Sequence, residues 1–533
     1  MGFPPKSRTA PASIVRSRAT TQRKKEHRTG GVEVGSLMRN WVRAAVLSAL
    51  GAAELLFSAV VHVGYAFYVF GTAVAADVAA SLVNRVKAGP GAGGVGGVSA
   101  IDGEDDAAAV QDGSVPPIVL VHGIFGFGKG RLGGLSYFAG AEEKDARVLV
   151  PDLGALTSVH DRARELFYYL KGGRVDYGES HSAEHSHARF GRTYARGHYP
   201  CWSSAHPAHF VGHSAGAQVI RLLHQMLHDG AFQGHETATS ERWVLSVTSL
   251  SGALNGSTRA YADGMQLENG GRTMRAAGLL QVCRVGSVLY HWLDIPWLNR
   301  YYDFGFGHFG MSRRVAGGVK ALAGLLRGAN GAWGPFATGD WILPDLTIHG
   351  AARTNGRLRT FPGTFYFSYA TRCTTRTPGG GAAVPSGSMG IHPLLFLRAM
   401  QMSRWRYPAG AGTPPPYEGY RDEDWEENDG ALNTFSMTHP RIPAEHPSVM
   451  EEEEDDDGGG GRPLRLGVWY YRIVEADHMA FIINRRRGGA LFDKVYDSIF
   501  RNCRRVDSRS APPPTVPNQA EQLTPGQDIV ATN

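Results

Sequence analysis

The sequence predicts an α/β fold in which helices cover both faces of a mostly parallel central sheet. Short apolar runs alternate with longer helical patterns along the chain. The runs are apolar throughout rather than at every second position, as is typical of strands buried on both faces. A third observation is a Gly-rich pentapeptide between one such run and a helical pattern, which places a serine in a sharp turn.

Six short segments have the pattern of buried strands, and turn residues bound each of them. They are Ile118–Val121, Val148–Val150, Phe210–Val211, Val244–Val247, Phe365–Tyr369 and Val468–Val474. The helical pattern Ala217–Leu223 directly follows the third strand and the pentapeptide. Strand, turn and helix therefore follow one another at the serine.

The composition divides the 533 residues into segments of different character. We expect a disordered basic arm at 1–43, a hydrophobic helix at 44–87, a Gly-rich linker at 88–114, a folded domain at 115–507 and a disordered tail at 508–533. An acidic run followed by glycines, 451–461, is typical of a disordered loop inside the domain. The net charge of +6 accompanies no nucleic-acid motif, so we expect no nucleic-acid partner.

The hydrophobic segment at 44–87 predicts a membrane-associated protein. No Lys, Arg or Asp occurs between Ala44 and Ala76, which is long enough to span a bilayer. A single-pass span, a helix lying in the interface or packed on the domain, and a cleaved segment are the three alternatives. The organelle does not follow from the sequence, and neither does the oligomeric state.

The pentapeptide Gly212-His213-Ser214-Ala215-Gly216 predicts a nucleophilic serine. A chance match is expected roughly 0.6 times in a chain of this length and glycine content, so the context must carry the prediction. Upstream, a Gly-rich turn follows the first strand at 122–128. In an acyl hydrolase, a backbone N–H of such a turn and the N–H after the nucleophile form the oxyanion hole, here Ile124 and Ala215.

A serine hydroxyl needs a histidine as general base and a carboxylate that fixes the tautomer of the histidine. His478 lies just after the last predicted strand, where a loop can present it. Asp429 follows a turn-like stretch and is the favoured acid. The residues alone leave four alternatives open, namely Asp263, Asp303, Asp340 and Asp424.

A second cluster of polar residues precedes the serine. Asp161, His181, His185 and His187 are of the types that bind zinc, and their spacing allows a tetrahedral site. The alternative is a solvated, His-rich loop. A hydrolytic metal centre made by these histidines is a competing hypothesis for the chemistry.

From about 116 to 500 the sequence resembles the thermoalkalophilic and staphylococcal-type bacterial triacylglycerol lipases and their plant relatives. The segments that carry the resemblance are 172–178 with the following His-rich stretch to 194, Leu245–Thr248, Glu427–Gly430 with Asn433 and Thr434, and Asp477 with His478. The resemblance implies an α/β-hydrolase fold. It also implies Ser214 as nucleophile, Asp429 as orienting acid and His478 as general base.

The resemblance further implies a zinc site with Asp161, His181 and His187 as ligands. The position of the fourth ligand of the family holds Gly307 in this chain, so His308 or a water would complete the site. The calcium-binding glutamate of the family is replaced by Ala480, and we expect no calcium there.

A long insertion at 258–335 contains apolar helical stretches. By resemblance it forms a zinc-tethered helical lid that opens at a lipid–water interface, and an ordinary pair of core helices is the alternative. The sequence thus predicts a membrane-associated serine esterase that cleaves acyl esters of glycerolipids. A phospholipase or galactolipase, and a non-catalytic membrane-associated scaffold, are the alternatives.

Overall fold

The computed structural model describes residues 115–506, apart from 236, 277–278, 328–333, 378–380, 388–389, 409, 411–412 and 452–463. The segments predicted as the basic arm (1–43), the hydrophobic helix (44–87), the Gly-rich linker (88–114) and the tail (508–533) lie outside the described residues. So does nearly all of the acidic loop at 451–461.

A seven-stranded sheet forms the centre of the described domain. Its strands are β1 (Ile118–Val121), β2 (Val148–Leu149), β5 (Ala208–His213), β6 (Val244–Leu250), β7 (Phe365–Arg372), β10 (Ser448–Met450) and β11 (Trp469–Glu475). Their order is β10-β11-β7-β6-β5-β1-β2, and every neighbouring pair is parallel. Two antiparallel hairpins stand apart, β3 (Gly173–Asp176) with β4 (Phe190–Tyr194) and β8 (Thr374–Thr377) with β9 (Gly381–Pro385).

Helices connect the strands and cover the sheet. In chain order they are α1 (Val159–Lys171), α2 (Glu179–His185), α3 (Gly216–His228), α4 (Thr258–Asp263), α5 (Leu279–Leu293), α6 (Pro296–Tyr301), α7 (Arg313–Ala316), α8 (Val319–Arg327), α9 (Pro335–Thr338), α10 (Ile342–Leu346), α11 (Ile348–Asn355), α12 (Pro393–Arg404), α13 (Thr434–Thr438) and α14 (Arg485–Arg505). Short 3₁₀ turns lie at Leu132–Gly134, Ala141–Lys144, Glu241–Trp243, Phe306–Phe309 and Asp422–Trp425.

The sheet is buried on both faces because successive strand residues enter two different cores. In β1, Val119 and Val121 belong to the core that also contains residues of α1 and α3, whereas Ile118 and Leu120 belong to the core under α14. Phe210 and Val211 of β5 divide between the two cores in the same way. Fully burying such a side chain contributes about 1.5–3 kcal/mol, so neither face tolerates polar residues in place of these.

The predicted fold class is confirmed, since the central sheet is parallel and lies between helices. All six predicted strands belong to it. The sequence did not indicate the edge strand β10 or the two hairpins, whose strands are only three to five residues long. The predicted insertion at 258–335 is helical, as α4 to α8 show.

The prediction of a membrane-associated location is wrong. Within the described part of the domain, no helix has both the length and the apolar character needed to cross a bilayer. The helix that the prediction relied on, 44–87, lies outside the described residues.

Candidate active site

Ser214 lies in the sharp turn between β5 and α3. Its φ of 56° is in the left-handed region, which residues other than glycine rarely adopt. The end of β6 and the loop after it hold this conformation, because the Ser214 N–H donates to the Leu250 carbonyl and the Ser214 carbonyl accepts from the Ala253 N–H, both at 3.1 Å. The serine therefore stands at the carboxyl end of the sheet on a fixed backbone.

Glycines around the turn allow backbones to approach where no side chain fits. A Cβ on Gly216 would lie 2.3 Å from the Val121 carbonyl oxygen, and a Cβ on Gly212 would lie 2.5 Å from the Ala217 nitrogen. A Cβ on Gly123 would lie 2.7 Å from the Ser214 Cβ. The Gly-rich turn after β1 thus packs directly against the serine.

Ile124 and Ala215, the predicted oxyanion donors, follow Gly123 and Ser214. Among the described residues, neither of their backbone N–H groups donates to another protein group. Free backbone N–H groups next to a serine are what a tetrahedral oxyanion requires. The local structure therefore fits the role that the sequence assigned to them.

His478 follows β11 and is hydrogen-bonded to Asp429. The Nδ1 atom of His478 lies 2.7 Å from Oδ2 of Asp429, and the His478 N–H donates to the Asp429 carbonyl at 3.1 Å. The aspartate is fully buried and the histidine nearly so. Because Nδ1 carries the proton toward the carboxylate, Nε2 is left unprotonated, as a general base requires.

Asp429 is held in its ionised form by several donors. Its Oδ1 accepts from the N–H groups of Ala431 and Leu432, and its Oδ2 accepts from Thr371 Oγ1 at 2.6 Å. Burial on its own raises the pKa of this carboxyl, but His478 and these hydrogen bonds outweigh it and bring the pKa below the ordinary value.

His213 joins the histidine to the serine turn. Its ring packs against the ring of His478, with centroids 4.8 Å apart, and its Nε2 lies 3.3 Å from the His478 carbonyl oxygen. Burial lowers the pKa of His213 well below its usual value, so the ring is neutral and Nε2–H donates. No hydrogen bond joins Ser214 Oγ to His478 in the described structure, and such bonds commonly tighten only when substrate binds.

The four alternative acids lie elsewhere. Asp263 pairs with Arg398, Asp424 pairs with Arg421, and Asp303 accepts from the Gly305 N–H. Asp340 belongs to the cluster of potential metal ligands described below. Of the five carboxylates that the sequence offered, the structure brings only Asp429 to His478.

The second cluster contains Asp161, His181, His187 and Asp340, whose ligand atoms all lie within 4.8 Å of one another. His181 Nε2 lies 3.3 Å from Asp161 and 3.2 Å from Asp340. The buried Nε2 of His187 lies 3.3 Å from Asp340 Oδ2, and its Nδ1 donates to the Ala188 carbonyl. This backbone hydrogen bond turns Nε2 toward the cluster, as in metal-binding histidines.

The fourth member of the cluster differs from the one that the sequence suggested. Asp340, just before α10, takes this place, although its sequence context suggested only a possible acid for the triad. His308 instead donates from Nε2 to Asp161 Oδ2 at 2.9 Å. A fourth ligand at position 307 is therefore not needed, because the carboxylate of Asp340 completes a cluster of two Asp and two His.

Sequence reasoning missed three residues that contact the site. Thr371 donates to Asp429, the Tyr137 hydroxyl contacts His213 and the Gly123 N–H, and Arg162 contacts the carbonyls of the turn after β1. None lies in a recognisable motif. Arg162 follows the predicted ligand Asp161 in an amphipathic helix, and this position is the one sequence signal that could have pointed to it.

Comparisons with known proteins identify the family of the chain and several similar proteins. Residues 115–391, more than half of the chain, match the family described as "Lipase-like, C-terminal domain". The chain belongs to this family. Among solved structures, this lipase-like domain is similar to the Staphylococcus hyicus lipase, with 25% identity, a TM-score of 0.54 and coverage of 75% of this chain and 97% of that one. The structure of EstA from Clostridium botulinum is 27% identical, with a TM-score of 0.54, and the match covers 74% of this chain and 88% of that one.

Two curated relatives are also named lipases. The lipase of Staphylococcus hyicus is 30% identical over 364 residues, which cover 62% of this chain and 50% of the relative. Lipase 1 of Staphylococcus aureus is 26% identical over 347 residues, which cover 61% of this chain and 46% of the relative. The chain thus spans about half the length of the curated relatives that it matches.

Replacing Gly216 by Ala tests the close packing at the serine turn. The added Cβ would overlap the Val121 carbonyl, so we expect G216A to lower the free energy of unfolding by about 3 kcal/mol. A Cβ added at Gly286 in α5 would have no atom within 4 Å, and G286A should stabilise by about 0.5–1 kcal/mol as a matched control. Chemical denaturation measures the free energy of unfolding of both variants. Equal stabilities of G216A and G286A would contradict the packing argument.

Replacing Thr371 by Val tests the support of Asp429. A carboxylate whose folded-state pKa is depressed adds stability above its unfolded pKa of about 3.9, and this is lost as the pH falls. T371V removes a charge-assisted hydrogen bond of about 1.5–3 kcal/mol and raises the folded-state pKa of Asp429 toward its unfolded value, so T371V should be less stable at pH 7 and should lose less stability on acidification. T371S keeps the hydroxyl and should follow the wild type in unfolding measured from pH 7 to pH 3; coincident curves for T371V would refute the assignment.

Proposed function

We propose that the chain is a lipase-like serine esterase that cleaves acyl esters of glycerolipids, of the triacylglycerol type, through an acyl-enzyme on Ser214. The observation that carries this proposal is the 2.7 Å hydrogen bond between His478 and Asp429, two residues that are 49 positions apart in the chain. It lies beside a strained serine turn with two free backbone donors. The names of the relatives support the same class of substrate.

In the proposed acylation step, Ser214 Oγ attacks the ester carbonyl carbon while His478 Nε2 takes the hydroxyl proton. The carbonyl electron pair moves to oxygen, and the N–H groups of Ile124 and Ala215 stabilise this oxyanion. Asp429 stabilises the imidazolium without taking its proton. When the oxyanion collapses, the alcohol leaves with the proton from His478, and the acyl group remains on Ser214.

Deacylation repeats these roles with water. His478 takes a proton from the water that attacks the acyl carbon, and the same two N–H groups hold the second oxyanion. Collapse breaks the bond to Ser214 Oγ, which regains a proton from His478, and releases a fatty acid. Ser214 is only 4% exposed in this structure, so neighbouring residues must move before a lipid enters.

The insertion at 258–335 supports a lid role in this proposal. Helix α5 buries Leu280, Val288 and Trp292 but leaves apolar side chains exposed on its other face, namely Val282, Val285, Leu289 and Leu293. An exposed apolar face of this kind fits contact with acyl chains at a lipid–water interface. The insertion begins at Thr258, whose N–H and hydroxyl both donate to Asn433 Oδ1, and it ends just before Asp340.

The cluster of two Asp and two His fits zinc, which takes four N and O ligands in structural sites. We propose that zinc bound there is structural. The ligands come from α1, α2, the turn after α2 and the loop at the end of the insertion, so the ion would join the insertion to the core. Zinc supplies no step of the proposed reaction.

Replacing Ser214 by Ala tests the proposed reaction. We expect S214A to reduce hydrolysis of triacylglycerol emulsions to background and to abolish covalent labelling by a fluorophosphonate probe, because both require the hydroxyl. Parallel assays with phospholipid and galactolipid emulsions separate the alternative acyl hydrolases. Full activity in folded S214A would refute the proposal, and a wild type that neither turns over nor labels would favour a non-catalytic role.

Removing the metal tests the proposed zinc site. Metal analysis should find one zinc per chain. With free zinc at about a thousand times its Kd, the bound ion should add about 4 kcal/mol to the free energy of unfolding, and chelation should remove this contribution. D340A should lose the zinc, whereas H185A changes a neighbouring histidine outside the four and should keep it. Instant loss of activity on chelation, without loss of stability, would instead favour a hydrolytic metal centre.

A further inference from the structure

Arg162 of α1 is a buried cation that the proposed reaction has not yet used. The whole residue is inaccessible to solvent, and its Nε has no hydrogen-bond partner. In the described part of the chain, no carboxylate oxygen lies within ion-pair distance of its guanidinium. Glu165, one turn further on, bonds instead to Gly154, Tyr177 and Arg192. A buried charge without a direct ion-pair partner is costly, so the hydrogen bonds of Arg162 must account for it.

The guanidinium contacts two successive backbone carbonyls of the turn after β1. Its Nη2 donates to the His122 carbonyl, and its Nη1 donates to the Gly123 carbonyl at 3.3 Å. A planar guanidinium presents its donors in a rigid fork, which a lysine does not. Arg162 therefore fixes the orientation of both peptide groups at once.

The Gly123 carbonyl accepts two further hydrogen bonds, one from His122 Nδ1 at 3.0 Å and one from the Gly126 N–H at 3.2 Å. Burial and the nearby Arg162 lower the pKa of His122 to about 3, so this ring stays neutral. Its Nε2 accepts from the Leu153 N–H, so Nδ1 carries the proton and does not accept from Arg162 Nη2, which contacts it at 3.1 Å. Three donors thus converge on one carbonyl oxygen.

The Gly123 carbonyl and the Ile124 N–H belong to the same planar peptide group. In a trans peptide these two groups point in opposite directions, so donors on the carbonyl also fix the direction of the N–H. Hydrogen bonds at the carbonyl polarise the peptide and strengthen the N–H as a donor. The Ile124 N–H is one of the two free donors next to Ser214.

We propose that Arg162 is a positioning residue for the oxyanion hole, because its fork on the His122 and Gly123 carbonyls aims and polarises the Ile124 N–H. This inference rests on the proposed esterase function. Its effect falls on the tetrahedral oxyanion, because only there does the carbonyl oxygen carry a full charge. Substrate binding should depend on it much less.

The test compares an oxygen ester with its thiono analogue, p-nitrophenyl butanoate and the corresponding C=S ester. Sulfur accepts hydrogen bonds weakly, so the thiono reaction depends less on the oxyanion hole. We expect R162Q to lower kcat for the oxygen ester on the order of 10- to 100-fold, with KM within about threefold and a smaller loss for the thiono ester. R162K keeps the charge without the fork and should fall in between.

Arg221 provides the matched control. It is equally deep in the core, on α3, and binds the side chains of Gln218 and Asn355 rather than the turn after β1. R221K should lose stability in thermal unfolding and keep the oxygen-to-thiono ratio of the wild type. A displaced triad would instead lower both rates together.

Each result decides the inference. A lower ratio of the oxygen-ester rate to the thiono-ester rate in R162Q and R162K, but not in R221K, supports the proposed role of Arg162. An unchanged ratio in the folded Arg162 variants, or failure of both to fold while R221K folds, would assign Arg162 a structural role and overturn it. If the wild type neither hydrolyses the esters nor reacts with a fluorophosphonate, the proposed function itself fails before Arg162 is tested.

Discussion

Parallel strands end at the same edge of the sheet, and the candidate site exists because of this constraint. The turn after β1 carries Ile124, the turn after β5 carries Ser214, β7 ends next to Thr371, and the loop after β11 carries His478. These residues are distant in the chain and adjacent only because each lies at, or directly after, the carboxyl end of a strand. The side chains supply the chemistry, whereas the strand register decides that they meet.

Much of the fold was predictable, because a doubly buried strand leaves a continuous apolar run. The six strands with such runs were found, and β10, with three residues at the edge, was not. The serine turn, Ile124, Ala215 and His478 were predictable for a related reason. They lie at positions that the strand pattern itself marks, directly after an apolar run.

The remaining parts of the site depend on tertiary contacts that leave no local pattern. Asp340 is one acid among several in the sequence, and only the folded chain brings it to His181 and His187. Thr371 and Arg162 are likewise ordinary until a carboxylate and two carbonyls surround them. Spacing in the sequence therefore predicts the candidate reacting groups, whereas the residues that contact and orient them become evident only in the folded chain.

The insertion at 258–335 is held at both ends, by Asn433 at its start and by the Asp340 cluster at its end. Its middle therefore behaves as a loop whose closure is already fixed by the core. Loop-closure entropy grows only logarithmically with length, by about 0.6 kcal/mol for each doubling. Helices can thus be added or removed in the middle of the insertion at little cost in stability, so the surface that the insertion presents can change while the edge of the sheet that carries Ser214 does not.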